Sequence, residues 1–352
     1  MSDIYSQDLE RTPANYQPLT PLTLLERAAS VYPARIAIIY GEQKYSYSEF
    51  YLRCRKLASF LTINGIGWGD TVSVMLANTP SMLEAHYAIP MCGGVLHAIN
   101  TRLDASAIAF QLDHAESKML IADTAFSSIV LEAATIMTCK PIIIDHNDKE
   151  IQQAYSQIGE YDYEEALQSG DEAYDWLMPK DEWDAISVNY TSGTTGNPKG
   201  VVYHHRGAYL LAQGNIVTAS IKKHAVYLWT LPMFHCNGWC FPWSISVVGG
   251  THVCLREVRA EAIWRLLNQH KVTHLCGAPI VMSKIMDAAE EVKQTLEEPV
   301  DFFTAAAPPP EKLLTDMHNA GFNVTHLYGL TEVYGPAVIN DWHSEWSELP
   351  NA

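Results

Sequence analysis

From Tyr190 to Gly200 the chain reads Tyr-Thr-Ser-Gly-Thr-Thr-Gly-Asn-Pro-Lys-Gly. Thr191, Ser192, Thr194 and Thr195 bring hydroxyl donors, Gly193 and Gly196 let the backbone approach a ligand closely, and Lys199 adds a positive charge. Consecutive backbone N–H groups in such a loop bind anionic oxygens, so the composition is that of a phosphate cradle. An ordinary polar turn draws on the same residues, but it does not call for the closing Pro-Lys-Gly. The order is not that of a Walker A loop, which needs Gly-Lys-Ser/Thr; here Pro198 precedes the lysine and Gly200 follows it. A P-loop kinase is disfavoured on that ground. The apolar alternation Ala185–Tyr190 predicts a strand leading into the loop, and a helical pattern begins at Ala208.

Three further stretches could carry chemistry. Tyr328-Gly329-Leu330-Thr331-Glu332 follows a predicted strand, Val324–Tyr328. Ligands of open α/β sheets sit beyond the carboxyl ends of strands. There Thr331 could bond a phosphoryl oxygen and Glu332 could hold Mg²⁺; taken alone, the pentapeptide also reads as a capped helix start. Thr304-Ala305-Ala306-Ala307-Pro308 ends another predicted strand, and a strand running into a proline-started helix explains it equally well. In Pro232-Met233-Phe234-His235-Cys236-Asn237-Gly238-Trp239, His235 could orient a carboxylate and Trp239 could wall an apolar pocket. A zinc reading through His235, Cys236 and Cys240 lacks the paired spacing of structural zinc sites.

With these motifs in this order, the chain resembles the adenylate-forming superfamily: acyl-CoA synthetases, luciferases and peptide-synthetase adenylation domains, the AMP-dependent synthetases and ligases. The resemblance implies that ATP is held by Thr191, Ser192, Gly193, Thr194, Thr195, Gly196 and Lys199, by Ala306, Ala307 and Pro308, and by Tyr328, Gly329, Leu330, Thr331 and Glu332. It implies that Tyr328 lies near adenine, that Thr331 meets the α-phosphate, and that Thr191 and Glu332 serve Mg²⁺. Lys199, Thr331, Glu332 and His235 are the implied catalytic set, with His235 and Trp239 at the acid. Relatives commonly carry glycine within the Ala306 stretch, so the alanines here narrow the adenine slot or the acyl floor.

The implied reaction activates a carboxylic acid to acyl-AMP with release of pyrophosphate, then transfers the acyl group to coenzyme A. ATP, Mg²⁺ and coenzyme A are the implied cofactor and co-substrates. The segment Met233–Trp243 fits short- or medium-chain aliphatic or methylthio acids best; a benzoate-like aromatic acid is the alternative. Relatives continue with a Thr-Gly-Asp ribose motif, a hinge and a small lysine-bearing domain. The sequence stops at Ala352, so residues 1–352 are expected to be the large N-terminal domain alone, with adenylation slowed and thioester formation lost. A non-catalytic nucleotide-binding domain is the competing expectation.

The elements that must position these residues are legible as alternating strands and helices. Strands are expected at Thr71–Leu76, Gly94–Ile99, Met119–Ala122 and Pro141–Asp145, with helices Ser81–Met91, Ala105–Ala115 and Phe126–Ile136 between them. After the cradle, strands are expected at Val226–Leu231, Thr251–Arg256, Thr273–Cys276 and Asp301–Ala305, with a helix over Ala260–His270. Ser46-Tyr47-Ser48-Glu49 is a capping-box pattern. The class is therefore α/β: stacked subdomains of mainly parallel sheet covered by helices, as in the acyl-CoA synthetase N-terminal domain, divided near residues 1–165 and 166–352. Asn147–Asp184, polar and acidic, reads as a surface excursion.

A net charge of −17 argues against nucleic-acid partners. Ala225–Leu255 has no charged side chain, but its prolines and glycines punctuate it as core elements rather than a membrane span. Seven scattered cysteines and an N-terminus without a signal pattern point to reduced thiols in the cytoplasm. The expected partners are a small carboxylate, ATP and coenzyme A, with a homodimer as the base-rate assembly.

Overall fold

The computed structural model describes residues 4–5, 7–153, 155–191 and 197–348, without the side chains of residues 347 and 348. Its strands, in chain order, are β1 (Ile36–Tyr40), β2 (Gln43–Ser46), β3 (Thr71–Met75), β4 (Val95–Ala98), β5 (Ser117–Asp123), β6 (Ile142–His146), β7 (Tyr161–Asp162), β8 (Ala185–Thr191), β9 (Lys199–His204), β10 (Val226–Leu228), β11 (Thr251–Val253), β12 (His274–Gly277), β13 (Val300–Thr304), β14 (Phe322–Leu330) and β15 (Gly335–Ile339).

They form two sheets. The eight-stranded sheet runs β15-β14-β13-β12-β10-β11-β1-β2, and the seven-stranded sheet runs β7-β6-β5-β3-β4-β8-β9. Pairing is parallel throughout except for three hairpins, β1–β2, β8–β9 and β14–β15, each at a sheet edge. Each sheet takes strands from both sides of residue 165, because β1–β2 join the later strands and β8–β9 join the earlier ones. The two sheets are therefore not the two sequence blocks.

Three apolar clusters explain the layering. Leu228, Val253, Trp264, Met282, Phe302 and Met317 bind the outer helices Ala260–Gln269, Pro279–Met286 and Glu311–Asn319 to the larger sheet. Met75, Ile108, Leu112, Leu120 and Val130 do the same for helices Ala105–His114 and Ser127–Ala134 on the smaller one. The largest cluster joins both sheets to helices Tyr47–Ile63, Pro80–Met91, His205–Thr218 and Phe241–Val247. These helices form a central layer between the sheets. All twelve residues of Pro80–Met91 are buried, as a helix covered on every side must be. Its Glu84 is admitted to the core only through its partners, the Arg53 guanidinium at 2.5 Å and the Tyr163 hydroxyl at 2.6 Å.

The capping box forms as expected: the Ser46 hydroxyl accepts the Glu49 N–H, and the Glu49 carboxylate accepts the Ser46 N–H. Several expectations are corrected. The cradle is followed not by a helix but by β9, because Gly200-Val201-Val202-Tyr203 has the β-branched character to pair with β8. The helix then starts at His205 rather than Ala208. The pentapeptide from Tyr328 is not a turn beyond its strand, since β14 runs through Leu330. Strands expected to reach Leu231 and Arg256 stop at Leu228 and Val253. The acidic excursion is partly core: Tyr163 is buried at the start of helix Tyr163–Ser169, and Glu164 pairs with Arg53.

Candidate functional site

The cradle is the closed end of the β8–β9 hairpin. Tyr190 stands opposite Gly200 and Thr191 opposite Lys199. The antiparallel ladder thus fixes both ends of the loop; Thr191 is half-buried and Lys199 exposed. Ser192, Gly193, Thr194, Thr195 and Gly196 lie outside the described residues. The second motif closes the β14–β15 hairpin, where Leu330 pairs with Gly335 and Thr331–Val333 form a 3-10 turn. Gly329 has no substitute there, because a Cβ would fall 1.7 Å from the Gly335 carbonyl oxygen.

These hairpins belong to different sheets, yet they dock edge to edge. The Tyr203 hydroxyl on β9 donates to the Thr331 carbonyl (2.7 Å), and the His204 N–H donates to the Tyr334 hydroxyl (2.9 Å). The rings of Tyr203 and Tyr334 stack at 4.0 Å between centroids and 23° between planes. The helix that follows leaves room for this contact with Gly207, whose absent Cβ would fall 2.3 Å from the Tyr334 hydroxyl. Thr331 and Glu332 are thereby held against the strand that leads out of the cradle.

The segment carrying His235 approaches the same junction from the core. Asn78 pins its first half: the amide donates to the Trp229 and Leu231 carbonyls and accepts the Met233 N–H. The second half, Cys236 to Cys240, has φ of 47°, 41°, 54°, 56° and 63°, a left-handed turn. Outside glycine this costs roughly 1–2 kcal/mol per residue, so other bonds must hold it. Asn237, fully buried, supplies most of them. Its Oδ1 accepts from the Ser187 hydroxyl (2.7 Å) and the Asn189 amide (2.5 Å), and its backbone N–H donates to Asn189 Oδ1 (3.2 Å). Its Nδ2 donates to His86 Nε2 (3.4 Å), which is free to accept because His86 Nδ1 donates to the Met82 carbonyl. Asn215 takes the Trp239 carbonyl at 2.8 Å.

The turn places Cys236 and Trp239 on the second hairpin. The Cys236 sulfur lies 3.3 Å from the Thr331 hydroxyl, and a Cβ on Gly335 would fall 3.0 Å from the Trp239 ring. His235 keeps an exposed face, yet the protein packed around it pushes its imidazole pKa down, so the ring is neutral at pH 7. Burial pushes the Cys236 thiol up despite bonds from Thr331 and Tyr203, and the Glu332 charge adds to the rise. Cys236 therefore stays a neutral thiol, and Glu332 lies close enough to be felt there.

Tyr328, Leu330 and Glu332 are exposed, as are Ala306, Ala307 and Pro308. Thr304 pairs with His326, so the ladder ends two residues before Ala306 on one strand and two before Tyr328 on its neighbour. Ala306 has φ +81°, a conformation that favours glycine. No group of three or more His, Cys, Asp or Glu residues suited to a metal occurs among the described residues. A single exposed carboxylate, Glu332, suits Mg²⁺, which keeps water and substrate phosphates as most of its ligands.

Sequence reasoning missed Tyr203, Tyr334, Gly207, Asn78 and Asn237. The alternation of Gly200–His204 could have marked Tyr203, and Asn237-Gly238 is a pair with left-handed preference. Nothing local marks Tyr334 or Asn78.

Comparison with known proteins adds a family. The family model described as AMP-binding enzyme matches residues 25–352. A peroxisomal acetate/butyrate–CoA ligase of Arabidopsis thaliana is 45% identical over 97% of this chain and 62% of its own length. A peroxisomal benzoate–CoA ligase of the same plant is 42% identical over 97% of this chain and 60% of its own length. The chain thus spans about three fifths of the curated relatives it matches. Among solved structures, the inhibitor-bound N-terminal domain of FACL13 from Mycobacterium tuberculosis superposes with a TM-score of 0.82 at 24% identity, over 91% of this chain and 78% of that one. That likeness shows the fold.

Proposed function

This chain belongs to the AMP-binding enzyme family, and from that premise we propose that it is the acid- and ATP-binding part of an AMP-forming acid–thiol ligase. The observation that carries the reading is the docking of the two edge hairpins through Tyr203 and Thr331. It sets Thr331 and Glu332 beside the strand whose first residue is Lys199.

In the proposed first step a carboxylate oxygen of the acid attacks the α-phosphorus of ATP, the bond to the β-phosphate oxygen breaks, and acyl-AMP and pyrophosphate result. The cradle hydroxyls, its backbone N–H groups and Lys199 bind the phosphates, and Thr331 donates to the α-phosphate. Mg²⁺ bound with the nucleotide would neutralise phosphate charge, and Glu332 with Thr191 would hold it. Neutral His235 orients the acid by an N–H bond without trapping it as an ion pair. Such catalysis is positioning plus fixed charge. In the second step the coenzyme A thiol attacks the acyl carbonyl and AMP leaves.

Trp229, Trp239, Phe241 and Trp243, near His235 in the sequence, are all buried. The bulk of that segment is the ground for offering a short aliphatic acid such as acetate or butyrate first, with medium-chain and methylthio acids next. The benzoate ligase among the relatives keeps a flat aromatic acid as the second reading. No helix among the described residues is long and apolar enough to cross a membrane, and all seven cysteines are unpaired. Reduced thiols suit the cytosol; co-localisation of a tagged protein with peroxisomes, where the two named relatives are placed, would overturn that assignment.

The test is ATP–pyrophosphate exchange on this chain with acetate, butyrate, octanoate, methylthiopropionate and benzoate in turn. We expect exchange with acetate or butyrate, a loss of about 10²–10³-fold in Lys199→Ala, the range for removing one transition-state donor, and a clear loss in Glu332→Ala. ATP binding without exchange would make the chain a binding platform only. No ATP binding, or unchanged exchange in both variants, would sink the site assignment.

A further inference from the structure

The Asn237 side chain reaches no exposed surface, yet it joins three parts of the molecule that the proposed reaction must keep in register. Ser187 and Asn189 lie on one face of β8, two residues apart, a few positions before the cradle. Both bond Asn237 Oδ1, while Asn189 Oδ1 takes the Asn237 backbone N–H in return. On its other side Asn237 donates to His86 of the central helix. The residues flanking it carry His235 and Trp239 on the acid side and Cys236 against Thr331. Most of this turn has no intrinsic reason to be left-handed; Gly238 and Asn237 tolerate the conformation, whereas Cys236, Trp239 and Cys240 do not favour it.

We infer that Asn237 is a positioning residue: its buried amide holds the left-handed turn so that the acid-binding side chains sit at a fixed distance from the phosphate cradle. The inference rests on the proposed acid activation and names the device that sets its geometry. The cradle itself does not depend on this amide, because the β8–β9 ladder fixes both of its ends. Losing Asn237 therefore lets the turn relax toward right-handed backbone. His235 and Trp239 shift, while Lys199 stays in the β8–β9 ladder and Thr331 keeps its bond from Tyr203, so ATP feels only the loss of the Cys236 contact at the Thr331 hydroxyl.

The experiment compares two probes by calorimetry on this chain: ATP alone, and butyryl-sulfamoyl-adenosine, a non-hydrolysable acyl-adenylate that fills both halves of the site. Neither requires turnover. In Asn237→Ala we expect the acyl-adenylate mimic to bind about tenfold or more weakly, with ATP changed by less than about twofold, because only the acid half loses its alignment. Ser187→Ala removes one of the bonds to Oδ1 and should weaken the mimic by about threefold, again sparing ATP. If Asn237→Ala does not fold, Ser187→Ala decides. Equal weakening of both probes would make Asn237 a general structural residue and overturn the inference, as would no change in either. If the unaltered chain binds ATP but not the mimic, the acid site is absent and the inference fails while the nucleotide site stands. If it binds neither, the proposed function and the inference fall together.

Discussion

Gly207 shows how tightly single residues are specified at the junction. It lies in the first turn of helix His205–Thr218, where alanine would ordinarily be the better helix former. Here a Cβ would stand 2.3 Å from the Tyr334 hydroxyl and 2.4 Å from the ring carbon that bears it. Tyr334 cannot simply turn aside, because one face stacks on Tyr203 and its hydroxyl holds the His204 N–H. Gly207→Ala should therefore lower stability by about 1–3 kcal/mol, the range for overpacking a filled site. It should also weaken ATP binding several-fold by displacing the 3-10 turn that carries Glu332. Chemical denaturation and calorimetry check both; a variant as stable as the parent would mean that Tyr334 has room the structure does not show. Asn237 is the same lesson reversed, a residue chosen for the bonds it makes rather than for the space it leaves.

Among the elements, the two hairpins are the working parts, and they were unequally legible. The cradle could be read because phosphate binding demands glycines, hydroxyls and a lysine within a few residues. β9 was not read, since Lys199-Gly200 looks like the exit of a loop, and its strand character declares itself only through pairing with β8. β15 opens on Gly335-Pro336, residues that argue against a strand except at a sheet edge, which is where it lies. The docking of the hairpins joins Tyr203 to Thr331 across more than a hundred residues and two sheets, and no local pattern records such a contact. The central parallel strands β3, β4 and β5 were legible because they are short runs buried almost throughout. Tyr203→Phe removes the docking bond along with the weaker hydroxyl contact to Cys236: the ring stack on Tyr334 remains, while the Thr331 carbonyl loses its donor. We expect about 1–3 kcal/mol of lost stability from the unpaired group and weaker ATP binding by about tenfold, equivalent to about 1.4 kcal/mol. Unchanged nucleotide affinity would show that the hairpins keep their relation without this bond.

At the scale of the whole molecule, the layers are tied by buried polar groups whose charge state the fold dictates. Arg256, just past β11 of the larger sheet, bridges Asp123 at the end of β5 (2.5 Å) and Asp148 (2.8 Å), linking the two sheets. Burial would raise the Asp123 carboxyl, but the nearby His146 ring and the bonded Arg256 guanidinium outweigh it and hold it at about 2, so this link survives mild acid. The buried histidines do not. Burial lowers His86, His97 and His205 to about 4 and His252 to about 3. Each is neutral in the fold and is bonded as a neutral ring; His97, for example, accepts from Ser73 and donates to Gln111. In the unfolded chain each would take up a proton near pH 6.5. Their contribution to stability is therefore intact above pH 6.5 and is lost as the pH falls from there toward 4, at up to about 1.4 kcal/mol per pH unit for each ring. Four such rings acting together weigh heavily against the 5–15 kcal/mol that holds a typical protein folded, so we expect stability to fall steeply between about pH 6 and 4, before Asp123 is protonated. Urea denaturation across that range should show a steep fall in stability. His97→Gln keeps an acceptor and a donor but cannot titrate, so it should flatten the slope by about one ring's share. A slope that His97→Gln leaves unchanged would mean that this ring is not among the groups that take up protons on unfolding.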